Sequence, residues 1–86
     1  MLKVGIIGLG KMCSIIAKKL VAEGHEVLAY DVRPERLVLK GVKGFDNAED
    51  VARSSDVVVL AVKPKDVDKA LECVKDAGLI VSIAAG

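Results

Sequence analysis

Gly8-Leu9-Gly10-Lys11-Met12-Cys13 decides the reading of this chain because of what lies on either side of it. An apolar segment, Val4-Gly5-Ile6-Ile7, runs into it. A helical pattern follows, with Ile16, Ala17, Leu20 and Val21 recurring at helical spacing and Gly24 as its stop. A second apolar run, Glu26-Val27-Leu28-Ala29-Tyr30, then ends at Asp31. Strand, glycine turn, helix, strand and acid is the order in which a βαβ unit binds a dinucleotide. Gly8 allows the tight turn. Gly10 has no Cβ, so a pyrophosphate can come close to the backbone. The N–H groups that open the helix, at Lys11 and Met12, then face the phosphates with the helix dipole behind them. Asp31 lies 21 residues after Gly10, where a carboxylate accepts hydrogen bonds from the adenine ribose hydroxyls. The pattern departs at its third small position, which holds Cys13 rather than Gly or Ala. The alternative is a glycine turn with a purely structural role.

The 86 residues make one domain near the small end of the range that builds its own core. Hydrophobic residues make up 52%, yet the aromatics are one Tyr and one Phe, so the core is aliphatic. That suits buried parallel strands and argues against nucleic-acid modules that stack bases on aromatic platforms. With 13 basic and 12 acidic residues the net charge is +1, which gives no bulk attraction to a polyanion. The apolar runs fall far short of a membrane span of roughly 18 residues, and the first strand begins too early to leave room for a signal peptide. Cys13 and Cys73 lack metal-ligand spacing, and a reducing, cytoplasmic setting fits them best.

The pattern predicts five strands alternating with four helices. The strands are placed at 3–7, 26–30, 42–45, 56–62 and 79–83. The helices are placed at 11–23, from Pro34 to near Gly41, from a cap at Asn47 or Asp46 onward, and at 65–76. Strict alternation with short connections implies a Rossmann-like, doubly wound parallel α/β sheet of order 3-2-1-4-5. A ligand then sits at the carboxyl ends of the strands, which bring together Gly8–Cys13, Asp31–Arg33, Asp46-Asn47, Ala61–Pro64 and Ser82–Gly86.

Gly8-Leu9-Gly10-Lys11-Met12, Ala61-Val62-Lys63-Pro64 and Val81-Ser82-Ile83-Ala84-Ala85-Gly86, taken together, resemble the N-terminal domain of the pyrroline-5-carboxylate reductases over essentially the whole chain. The resemblance implies an NAD(P)H-dependent oxidoreductase that reduces a cyclic imine to proline. It implies that Ala61, Val62, Lys63 and Pro64 line the nicotinamide side of the cofactor, mostly through backbone, with Ala84 on the same wall. It also implies that Asn47 approaches the cofactor. In that family a second, all-helical domain dimerises and completes the substrate pocket. These 86 residues hold none of it, so the expectation is a cofactor-binding half that is inactive alone and self-associates through the surface the missing domain would cover.

Individual residues carry competing readings. Asp31 favours NAD(H), because a 2′-phosphate beside it meets like charge. Arg33 could grip that phosphate or stack on adenine instead, so NADP(H) stays open. Both residues could equally be solvated turn positions. Lys63 precedes Pro64, which biases it to an extended shape; a backbone contact is expected there, with a catalytic lysine as the alternative. Asn47 is either a cofactor neighbour or only a helix cap. Cys13 and Cys73 are expected to pack, and His25 to lie in an exposed turn. Ser14, Ser54, Ser55 and Ser82 have no His and acid in triad-like context, so hydrolase chemistry has no support. The rivals to the imine reductase are a β-hydroxyacid dehydrogenase, a deazaflavin-dependent NADP reductase, and a non-catalytic nucleotide-sensing module.

Overall fold

The computed structural model describes residues 2–61, 68, 71–72 and 80–82. Strands β1 (Lys3–Ile7), β2 (Glu26–Tyr30), β3 (Val42–Gly44), β4 (Val57–Leu60) and β5 (Ile80–Ser82) form one sheet in the order β3-β2-β1-β4-β5. Every neighbouring pair is parallel, with Ile7 beside Tyr30 on one side and Leu60 on the other. Helix α1 (Lys11–Ala22) joins β1 to β2, and helix α2 (Ala48–Ser54) joins β3 to β4. The order is the one the sequence predicts.

Alternation along the central strands builds a core on each face. Val4 and Ile6 of β1 pack with Val27 and Ala29 of β2 against Leu9, Cys13 and Ala17. Ile7, Leu28, Val58 and Leu60 pack on the other face against Val51 and Ala52 of α2. Gly5 of β1 faces α2 so closely that a Cβ there would meet the Ser55 side chain and Val51. The sheet is therefore covered on both sides, as a doubly wound architecture requires.

α1 ends in a Schellman motif. His25 N–H donates to the Leu20 carbonyl at 3.0 Å and Gly24 N–H to that of Val21 at 3.1 Å, with Gly24 at φ 89°. His25 Nδ1 accepts the Leu2 N–H at 3.2 Å, which ties the start of β1 to the end of this helix.

The helix expected from Pro34 to near Gly41 is instead one four-residue 3-10 turn, Pro34–Leu37. Leu37 and Leu39 both pack against the α1-side core. Residues two apart lie on different sides of an α-helix, so burying both requires the chain to leave helical geometry after Leu37. Strand β4 is shorter than the predicted 56–62, and Val62 lies outside the described residues. The predicted helix 65–76 lies mostly outside them as well; Asp68, Leu71 and Glu72 are helical. No described helix is long and apolar enough to cross a membrane.

Candidate functional site

The carboxyl ends of β1 and β2 shape the glycine turn. Gly8 sits at φ 95°, where side chains are rarely tolerated, and a Cβ on it would collide with the Ala61 carbonyl oxygen. Its N–H donates to the Tyr30 carbonyl at 2.9 Å, and Ala61 N–H donates to the Ile7 carbonyl at 2.9 Å. The chain's own packing thus requires glycine at position 8.

Gly10 is different. Its φ is −79°, which any residue can adopt, and a Cβ on it would meet no atom of the described residues within 4 Å. Nothing among the described residues requires glycine there. A group from outside the chain that must approach the backbone closely does require it.

Gly10 is also the N-cap of α1. No side chain caps this helix and its first turn carries no acid. Ser14 turns back, donating from both N–H (2.9 Å) and Oγ (2.8 Å) to the Gly10 carbonyl. The opening N–H groups of Lys11 and Met12 are beyond the reach of intrahelical acceptors, and the positive end of the helix dipole coincides with them. Met12 is 65% exposed. Cys13, one residue further, turns inward and is buried among Ile6, Leu9 and Ala17. Burial pushes its thiol up from the usual value. A helix N-terminus favours a thiolate, and here desolvation outweighs it. The packing role expected for Cys13 is the one observed.

Asp31, expected from its spacing to meet the adenine ribose, is engaged by the chain's own backbone. The sequence leads one to expect a carboxylate facing the ligand crevice. The structure buries the side chain to 4% exposure and engages both oxygens. Oδ2 accepts the Leu9 N–H at 2.6 Å and Oδ1 accepts the Arg33 N–H at 2.8 Å. Arg36, which sequence reading did not single out, places a guanidinium nitrogen 3.6 Å from Oδ2. Its signal was its place five residues after Asp31, inside the short turn that follows β2. Arg33 itself is exposed.

Asn47 is the N-cap of α2. Its Oδ1 accepts the Asp50 N–H at 2.8 Å and its Nδ2 donates to the Asp50 carboxylate at 3.1 Å. Both ends of the amide are therefore used within the cap. Ala61 lies against Gly8 at the end of β4. Val62, Lys63, Pro64 and Ala84 lie outside the described residues. Among the described residues no three His, Cys, Asp or Glu side chains converge as a metal site.

The geometry fits a dinucleotide. Gly10 offers the open approach a pyrophosphate needs, the uncapped N-terminus of α1 offers donors, and Asp31, Arg33 and Arg36 follow the carboxyl end of β2.

Comparisons with known proteins agree. The family model described as "NADP oxidoreductase coenzyme F420-dependent" matches residues 3–86. The pyrroline-5-carboxylate reductase of Aquifex aeolicus is 41% identical over 93 residues, covering 99% of this chain and 34% of its own. A Plasmodium falciparum pyrroline carboxylate reductase solved with NADP bound superposes with a TM-score of 0.81 at 26% identity, over 96% of this chain and 33% of that one. Mycobacterium tuberculosis 3-hydroxyisobutyrate dehydrogenase superposes with a TM-score of 0.90 at 25% identity, over 98% and 32%. The chain spans about a third of the length of the curated reductases it matches.

Proposed function

The chain belongs to the family described as NADP oxidoreductase, coenzyme F420-dependent, and is an NAD(P)-binding domain; from that premise we propose that it serves an enzyme of the pyrroline-5-carboxylate reductase type. Gly8 and Gly10 shape the phosphate turn, and the backbone of Lys11 and Met12 donates to the pyrophosphate. Asp31 and Arg33 flank the adenosine end. Ala61, Val62, Lys63, Pro64 and Ala84 form the nicotinamide wall. When bound, a reduced nicotinamide supplies a hydride. The reaction proposed for the whole enzyme adds that hydride to the carbon of a cyclic C=N bond and a proton to its nitrogen, yielding proline.

The observation that carries this reading is Gly10, a glycine that the described residues do not need and a phosphate does. What favours imine reduction over hydroxyacid oxidation is sequence rather than shape, because the fold is common to both. Ala61-Val62-Lys63-Pro64 and Ser82-Ile83-Ala84-Ala85-Gly86 carry the distinction, together with the reductases matched at 41% and 37% identity. The 86 residues are proposed to bind cofactor without turning over the imine. Efficient transfer needs the substrate held against the hydride donor with water excluded, and these strand-end loops supply one wall.

Isothermal titration of the chain with NADH and with NADPH tests the binding. Saturable heat with at least one of them is expected. No heat and no thermal shift at millimolar dinucleotide would overturn the reading. NADPH or NADH oxidation with pyrroline-5-carboxylate tests the second part, and robust turnover by these 86 residues would refute it.

A further inference from the structure

Asp31 is the one buried charged residue among the described residues, and a buried carboxylate is costly unless its oxygens are paired. The pairing is with the main chain. Oδ2 accepts from Leu9 and Oδ1 from Arg33, at the short distances typical of bonds to a charged acceptor. The preceding residue completes a double grip, because the Tyr30 carbonyl accepts the Gly8 N–H. Two consecutive amides of the phosphate turn thus donate to two consecutive residues at the end of β2.

Resting on the dinucleotide reading above, we infer that Asp31 is a positioning residue for the phosphate turn and not the anchor of the adenine ribose. Leu9 is held from both ends, with its side chain in the α1-side core and its N–H on Asp31. That fixes the peptide leading into Gly10 and so sets where the first turn of α1 points. Each oxygen keeps a second lone pair, but the side chain is only 4% exposed, so meeting both ribose hydroxyls would require it to turn outward from its buried position and strain its bonds to Leu9 and Arg33. Its charge is also offset by Arg36, whose side chain is 42% exposed. The corner therefore does not turn away a 2′-phosphate, and the carboxylate does not select NAD(H) over NADP(H).

The test uses Asp31→Ala and Asp31→Asn. Each is titrated with NADH and NADPH at a temperature where circular dichroism shows it folded. Amide hydrogen exchange at Leu9 is followed separately without cofactor. Asp31→Ala is expected to weaken both dinucleotides by the same factor, about tenfold, as loss of a charge-assisted hydrogen bond implies. Asp31→Asn is expected to lose less, since its carbonyl oxygen still accepts one N–H, and Leu9 exchange should quicken in the same graded order. The Asn variant carries the test if the Ala variant does not fold. Loss of NADH binding with NADPH binding kept or improved would overturn the inference in favour of a ribose anchor. Unchanged affinity, or unchanged Leu9 exchange, would overturn it as well. A wild-type chain that binds neither dinucleotide would instead defeat the cofactor reading, while Leu9 exchange would still report whether the clamp exists.

Discussion

Helices α1 and α2 both start at the carboxyl edge of the sheet, one after β1 and the other after β3, and they treat their exposed N–H groups in opposite ways. α2 closes its own N-terminus. Asn47 caps it, Asp50 returns the bond, and Glu49 and Asp50 place negative charge against the dipole. α1 begins at a bare glycine with no side-chain cap and no acid in its first turn. An N-terminus that the chain satisfies by itself is structural. One that is bordered by a glycine without internal purpose is suited to an anion from outside.

Gly10→Val is expected to give the largest effect. The backbone there accepts a side chain and the Cβ meets no atom of the described residues, so the chain should stay folded, losing no more than about 1 kcal/mol from a poorer helix cap. Dinucleotide affinity should fall by about 100-fold or more, because the branched side chain occupies the approach to the phosphate-binding amides. Calorimetric titration beside a thermal melt checks both halves, and a valine variant that still binds would equate the two helix starts.

Met12→Asp gives α1 the kind of charge α2 already has. Two effects of opposite sign are expected: a gain of up to about 0.5 kcal/mol in stability from the helix dipole, and a loss of about tenfold in affinity from repulsion of the pyrophosphate. Urea denaturation and cofactor titration read them separately. A variant that gains stability without losing affinity would move the phosphates away from this helix.

Asn47→Ala should cost about 1 kcal/mol of stability, the usual worth of a helix cap, while leaving cofactor affinity unchanged. Reduced affinity in a folded variant would instead support the cofactor contact implied by the family resemblance.

The smallest effect concerns Cys13, the inward-facing member of α1's first turn. The folded chain holds the thiol proton to higher pH than the unfolded chain does. Above the ordinary thiol value of 9.0 the unfolded state therefore binds fewer protons, and stability falls as pH rises. Cys13→Ala should flatten that part of the stability profile above pH 9, as followed by urea midpoints. An identical slope in the variant would assign the loss to other groups.

Much of this molecule was legible in its sequence because the signals were local. Short continuous apolar runs marked β1, β2 and β4, Gly24 marked the end of α1, Asn47 marked the start of α2, and alternation of strands and helices implied the sheet order. The segment after β2 was not legible in the same way. Pro34 promises a helix, and only the need to bury Leu37 and Leu39 in one core turns it into a single 3-10 turn.

The glycine motif and its spacing to an acid were enough to determine a dinucleotide fold, since they are short-range features whose geometry follows from chain stiffness and the absence of a Cβ. Tertiary structure decided what each motif residue does. Gly8 answers to the Ala61 carbonyl, whereas Gly10 answers to nothing within the described chain. Asp31 faces the Leu9 amide, a partner 22 residues away that spacing alone does not reveal. Whether a carboxylate serves a ligand or its own backbone depends on which donors the folded chain brings to it, and the Leu9 donor comes from the turn after a neighbouring strand.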